Sequence, residues 1–341
     1  MHKIFFSAGV LVSLLLTRPA NAQNAAASQQ ADALRLREFV SPTGSTTGAP
    51  ELYAGETSDV GPQSLLQLKP RRHWLRAFAD EQLFYSDNIF LAKNGKQDAN
   101  VLVSTVHAAL APDAFDVAGG KLSPQIGYQH QWFNYGLLGS DDVLVVDFDK
   151  SITPTTNSLN AFDFNVQTIF ADTTWNWRGW DFTVGLDYRR FLDSNDYNEF
   201  YRELVPRWAA HYTFQFSETK SILIGYEGDY RATETQHPLP INQGDYNDRT
   251  DHSLVLVGNW KLCSHAIIQP FYRLQYSYFT HIQNGREDWL NTFGIALQLP
   301  FTDNVALRTF VSYETLSSNS SYVQNYDKLD IGGGLNLSVR F

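Results

Sequence analysis

The charged residues best placed to do chemistry recur two or four positions apart. Asp187 and Arg189, Glu203 and Arg207, and Glu227, Asp229 and Arg231 each set acid and base on one side of an alternating stretch. At that spacing the side chains of a β-strand share a face, and opposite signs on neighbouring strands come close enough to pair. Two chemistries fit. Beside a water path such groups select ions, whereas buried they satisfy one another as a structural ladder. Both signs are present, which favours the ladder. Arg273 and Arg308 fall on the same kind of face farther along, near the small residues Gly294, Ala296, Gly332, Gly334 and Ser338. That combination predicts a narrow passage on the small-residue side, or a groove for residues 51–70, with a mild preference for anions.

Other chemistry finds less support. His211, His252, His265 and His281 have the right side chain for a general base, but no nucleophile motif accompanies any of them. Each reads as an inward, rim or turn residue. No His, Cys, Asp or Glu set has a usable metal-ligand spacing, and no phosphate-binding loop occurs. The expectation is therefore no catalytic residue, no metal and no cofactor. Cys263 is the single cysteine, so it has no internal disulfide partner. A net charge of −10 argues against nucleic-acid binding.

The elements that must position these residues are strands. In the last stretch Leu329, Ile331, Gly333, Leu335, Leu337, Val339 and Phe341 alternate with Asp330, Gly332, Gly334, Asn336, Ser338 and Arg340. Period-two alternation of this kind marks one apolar and one polar face. The pattern repeats. Trp180, Phe182, Val184, Leu186 and Tyr188 oppose Asp181, Thr183, Asp187 and Arg189, and Leu204, Trp208, Ala210, Tyr212 and Phe214 oppose Glu203, Arg207 and His211. In the same way Phe162, Phe164, Val166 and Phe170 are placed on the apolar outer face against Asp163, Asn165 and Gln167. The alternation is weaker in 74–85 and 101–110, where Glu81 falls on the outer face, near an interface or beside a bulge.

The tally is about twelve strands, an even number, with connections alternating long and short. Residues 87–98, 136–157, 193–198, 235–250, 281–286 and 317–326 form the long set. Aromatics cluster at the strand ends. Trp177, Trp180, Phe214, Phe216, Trp260 and Phe341 fall at one rim. Tyr85, Trp132, Tyr135, Phe200, Tyr230, Tyr278, Trp289 and Tyr313 fall at the other. With 14% aromatic residues and a mean hydropathy of −0.30, the composition suits a wall that is apolar outside and polar inside.

The alternating last strand ending in Phe341 resembles the terminal strand of Gram-negative outer-membrane proteins. The resemblance implies an all-β, antiparallel transmembrane β-barrel over residues 73–341. Outer-membrane lipid would surround it, and the barrel assembly machinery would engage the strand that ends in Phe341. The stretch Ser86-Asp87-Asn88-Ile89-Phe90-Leu91 resembles a recurring start in porin-like barrels associated with exopolysaccharide export. There an Asx turn outweighs a Ca²⁺ site at Asp87 and Asn88. The outer-membrane phospholipase family, similar in strand number, carries a catalytic His two residues before Ser-Asn-Gly, and that motif does not occur here.

Ahead of the barrel, residues 1–22 read as a signal peptide, with Lys3, an apolar run from Ile4 to Leu16 and a small-x-small site at Ala20-Asn21-Ala22. Residues 23–72 read as a short, mostly irregular periplasmic extension. It includes a helical possibility over 32–40 and apolar patches at 51–53 and 64–66. Both barrel termini would then face the periplasm. The leading functional expectation is a passive channel for small polar solutes or oligosaccharides. Behind it stand a non-conducting barrel that anchors or assists a surface or exopolysaccharide export assembly and, third, a hydrolase.

Overall fold

The computed structural model describes residues 27, 28, 31, 74–135, 142–145, 155–236, 245–263, 265–282, 285–302, 304–320, 323 and 325–340. The strands are β1 (Leu75–Ser86), β2 (Ala99–Leu110), β3 (Phe115–Val117), β4 (Gly120–Tyr135), β5 (Asp142–Val145), β6 (Thr155–Ser158) and β7 (Phe164–Trp177). They continue with β8 (Trp180–Asp193), β9 (Glu199–Ser217), β10 (Lys220–Thr235), β11 (Arg249–Cys263) and β12 (Ala266–Phe279). The last three are β13 (Arg286–Pro300), β14 (Val305–Ser318) and β15 (Tyr326–Arg340). Each of the twelve expected strands is present.

Every barrel strand pairs antiparallel with its chain neighbour. β1 pairs with β15, and β2 pairs with β4, so β1, β2, β4 and β7 to β15 close into a ring. Closure leaves no strand edge in the wall, which a barrel in lipid requires. The exterior is apolar: Ile126, Ile169, Val184, Leu254, Phe293 and Leu335 are all exposed. Among the described residues no helix is long and apolar enough to cross a membrane. The fold is an outer-membrane-type β-barrel with both barrel termini at one end.

Turn chemistry sorts the two ends. At the terminus end, Arg178 and Gly179 both take positive φ between β7 and β8, as do Ala118 and Gly119 between β3 and β4. Two consecutive positive φ angles define the tight turn whose twist matches a hairpin. At the other end the connections are longer. The stretch between β4 and β7 carries its own two-stranded hairpin, β5–β6, which makes no ladder with the ring, and then a 3-10 turn over Leu159–Phe162. Val143, Leu144 and Val145 of this connection lie in β5 of that hairpin.

The Asp87-Asn88 motif fastens the ring where its first and last strands meet. The Asp87 N–H donates to the Leu329 carbonyl at 3.1 Å, and its carboxylate accepts the Leu329 N–H at 2.7 Å. Asn88, fully buried, donates from Nδ2 to the carbonyls of Ala92 and Asp327 and accepts the Ala92 N–H, all at 2.8 Å. The Asn88 bond spans four residues and not the two of the expected Asx turn, and the motif is tied across the seam. Lys96 adds an ion pair to Asp327 at 2.6 Å, and that hydrogen bond raises its pKa.

Two expectations need correction. The parity of β7 is inverted: Phe164, Val166 and Phe170 point inward and are buried, while Ile169 is exposed outside. Asp172 shares the inward side and pairs with Arg207 at 2.6 Å. Phe162 lies in the 3-10 turn. Tyr135 and Phe200 belong to an interior cluster and not to the aromatic rim, because Phe133, Phe164 and Phe191 pack against them from within. Glu81 does face outward, in unbroken register with Ser104 and Leu335 and without a bulge, and accepts a hydrogen bond from Ser104 Oγ at 2.9 Å.

Candidate functional site: the barrel lumen

All nine charged residues singled out from the sequence point inward, and the fold joins them. Asp187, Arg189, Glu203 and Arg231 are buried to 2% exposure or less. Arg189 reaches Glu203 at 3.4 Å and Asp187 at 3.8 Å. Arg231 lies 2.9 Å from both Asp229 and Asp251 and 3.7 Å from Glu203. Arg207 bridges Asp172 and Asp187 at 2.6 and 3.2 Å. Deeper in the barrel, Glu227 meets His211 at 3.1 Å and Arg273 at 3.8 Å. Arg308 lies 3.5 Å from Asp80. The geometry is that of the ladder: each cation faces at least one carboxylate across a strand or two.

Sequence reasoning missed members of the same network. Arg249 and Asp251 on β11 pair at 3.0 Å, Arg286 pairs with Asp288 on β13, and Lys328 meets Asp330 on β15 at 3.4 Å. With Asp187/Arg189 and Asp229/Arg231, five strands repeat one device, opposite charges two residues apart on the inward face. That spacing was a usable signal, since i and i+2 always share a face.

Apolar groups fill the space between the charges. Val255, Val257, Phe271, Ala296 and Phe310 form an interior cluster joined by Phe84 and Leu223. The inward small residues lie close against atoms of neighbouring strands. A Cβ on Gly294 would lie 2.6 Å from the Phe271 ring, and one on Gly332 would lie 2.2 Å from Phe84 Cβ. The glycines admit neighbouring rings. Arg273 and Arg308 are likewise each opposed by a carboxylate, which offsets the charge from which an anion preference was expected. Residues 51–70 lie outside the described residues. On the opposite wall His107 stacks between Phe78 and Phe170, at centroid distances of 4.4 and 5.0 Å.

The long-loop half of the lumen holds a further occupant. Ala27, Ser28 and Ala31, which precede the barrel in sequence, are helical and buried. Ala27 and Ala31 share a helix face and pack into a cluster with Val101, Val103, Phe133, Phe164 and Tyr201. Ser28 Oγ donates to Glu203 Oε1 at 2.8 Å and accepts from Arg231 and Arg249 at 3.0 and 3.3 Å. These three residues sit inside the barrel and not in a periplasmic extension. The remainder of 23–72 lies outside the described residues, as do 1–22 and Phe341.

The loops also assemble a set that linear spacing did not reveal. Asp245, Asp248 and His281 bring one ligand atom each within 4.8 Å of one another. His281 lies 3.4 Å from Asp248 and 3.7 Å from Asp245. Asp248 is also occupied by Thr233, whose N–H and hydroxyl donate to it at 2.6 and 2.8 Å. The set clasps the β10–β11 connection to the β12–β13 connection.

No family model matches the chain, and no curated protein matches it. Solved barrels do align with it. The β domain of the Bordetella autotransporter Brka is 12% identical over 79% of this chain and 100% of its own, with a TM-score of 0.45. The translocator domain of autotransporter NalP from Neisseria meningitidis is 10% identical over 94% and 99%, also at 0.45. An outer membrane channel from Pseudomonas putida F1 is 10% identical over 82% and 100%, at 0.46. At these values the likeness carries no argument of its own. The assignment as an outer-membrane-type barrel rests on the closed ring and the apolar exterior.

Proposed function

We propose that the chain is a passive outer-membrane channel for small polar solutes or oligosaccharides. The supporting observation is a closed wall with an apolar exterior whose inward face carries charged side chains on β8, β9, β10, β11, β13 and β15. Inward polar groups offer hydrogen bonds to hydroxylated solutes, and the mixed signs give little reason to prefer one ion charge. In this reading residues 1–22 export the chain to a Gram-negative envelope, and the strand ending at Phe341 is the part that the assembly machinery engages. No hydrolytic role is assigned, and esterase and protease assays on the folded barrel should read at the background rate.

One observation favours a second reading. The long-loop half of the lumen is filled by the ion-pair network and by Ala27, Ser28 and Ala31, as suits a non-conducting barrel that anchors or assists a surface or exopolysaccharide export assembly. Swelling of liposomes in sugars of increasing size separates the two. Entry of mono- and disaccharides with exclusion of larger sugars is the result expected of the channel. No entry of any sugar, together with no single-channel conductance from folded protein, would discard it in favour of the second reading.

A further inference from the structure

Charge also appears on the outward face, among residues that should meet lipid. Arg190 lies between Arg189 and Phe191, and Arg202 between Tyr201 and Glu203. Those four neighbours are buried on the inward side, so both arginines point outward. They are cross-strand partners near the long-loop ends of β8 and β9. Like charges directly opposite repel, and Glu199 contacts both, 2.5 Å from Arg190 Nε and 3.8 Å from Arg202 Nη1. Glu234 accepts from Arg202 Nε and Nη2. The two arginine side chains stay 42% and 38% exposed, whereas Arg189 and Arg231 inside are at 2%. Among the described residues Arg190 donates from Nε alone, which leaves both Nη groups of its fork for an anion.

The outward row continues on the neighbouring strands. Gln167 is opposite Arg190, and His130 is opposite Gln167. Trp132 stacks on His130 at a centroid distance of 4.0 Å, and the Tyr128 hydroxyl lies 3.1 Å from His130 Nδ1. His130 Nε2 and both side-chain polar atoms of Asn165, the residue opposite Trp132, are buried without a hydrogen-bond partner. Such atoms are costly until a ligand hydroxyl meets them. An arginine fork suits a phosphate, and an indole beside unsatisfied amide and imidazole atoms suits a sugar ring. Arginine on a lipid-facing wall is cheap only towards the interfaces, and the long-loop end places this row at the headgroups of the outer leaflet. From this row we infer that the outward face of β4, β7, β8 and β9 binds the phosphorylated sugar headgroup of a membrane glycolipid. Arg190 and Arg202 hold the phosphate, and Trp132, His130 and Asn165 meet the sugar. The site rests on the membrane barrel and not on the channel reading.

The test uses the folded full chain in nonionic detergent micelles. The probe is a fluorescent disaccharide lipid carrying two phosphates, with binding read by anisotropy. Heat-modifiable gel mobility verifies that each variant is folded. The expected result is saturable binding roughly tenfold tighter than that of the same lipid without phosphates, and than that of phosphatidylglycerol. Arg190→Gln should weaken it about tenfold, and adding Arg202→Gln should weaken it further. Arg190→Lys keeps a charge beside Glu199 but loses the fork, and gives the same reading where Gln does not fold. Arg178→Gln, in the β7–β8 turn at the other end, should change nothing. Equal affinity for the dephosphorylated lipid or for phosphatidylglycerol would overturn the site, as would a folded Arg190 variant that binds as before. A dimer in micelles that Arg190→Gln dissolves would also overturn it, because the row would then join two copies. Trp132→Ala should weaken the phosphorylated and dephosphorylated lipids alike, and unchanged binding there would overturn the sugar contact.

Discussion

Replacing Arg231 with Met tests whether the lumen network is truly dry. Arg231 is 1% exposed and faces three carboxylates, at 2.9, 2.9 and 3.7 Å. Methionine keeps most of the aliphatic volume and removes the charge. Deleting one partner of a buried pair costs about 3–5 kcal/mol, because the remaining charge loses its compensation. Here Asp251 retains Arg249 and Glu203 retains Arg189, so part of the loss is offset. The lower end of the range, about 3 kcal/mol, is therefore expected, or roughly a hundredfold in the folding equilibrium. Adding Asp229→Asn removes one of the three carboxylates that faced Arg231 and should recover part of it. Urea titration in detergent micelles, followed by tryptophan emission, reads the change as a lower midpoint at unchanged slope. The titration is repeated at about 1 M salt, where the screening length falls to roughly 3 Å. A loss below about 1 kcal/mol, or one that vanishes in salt, is the behaviour of a solvent-exposed pair and would refute the dry network.

Three other outcomes follow from single sites. Asp163 is half-buried, and burial together with nearby Asp193 pushes its carboxyl up from 3.8 to about 6 despite the Tyr135 N–H that it accepts at 2.7 Å. The folded state therefore binds more protons than the unfolded chain in that window, and stability falls as pH rises through it; Asp163→Asn should flatten the unfolding midpoint over the same range. Asn88→Ala removes three hydrogen bonds at the seam, a loss of about 2–3 kcal/mol, and should speed protease cleavage within 87–98 of otherwise folded barrel. Gly332→Ala would place a Cβ 2.2 Å from Phe84 Cβ and 2.5 Å from the Leu83 carbonyl, so the β1–β15 pairing must shift. The compact-to-extended gel transition should then occur on the order of 5 °C lower.

How much the sequence revealed depended on what faces the lumen at each height. On β8, β9 and β10 the inward face is charged and the outward face aromatic or aliphatic, so alternation alone fixed both register and orientation. On β7 the same alternation was plain, but its inward members Phe164, Val166 and Phe170 are apolar. They meet Phe133, Phe191 and His107 inside the barrel. Alternation reports two different environments without saying which is the membrane. A lumen that contains part of its own chain is apolar in places, and the rule that apolar means outward fails there. Tyr135 and Phe200 were misplaced for the same reason. The Asp245, Asp248 and His281 set was illegible for another: its members come from separate connections, and only closure of the ring brings those connections together. At Asp87-Asn88 a side-chain-bonded turn was legible because the Asn88–Ala92 bonds are local, although their four-residue span and the tie of Asp87 to Leu329 were not.

That tie has a kinetic meaning. Asn88 and Asp327 are 239 residues apart in sequence, whereas His211 and Glu227, joined across one hairpin, are 16 apart. The ratio is about four doublings of loop length, and at roughly 0.6 kcal/mol per doubling the seam costs about 2.4 kcal/mol more chain entropy to close than a hairpin does. Hairpins should therefore zip in succession around the wall while the first and last strands still lack each other. During that interval two unpaired edges remain open to pairing with another copy. Asp87, Asn88 and Lys96 act at the end of this sequence. They slow the rate at which a ring, once shut, reopens, and so limit how often the vulnerable open sheet recurs.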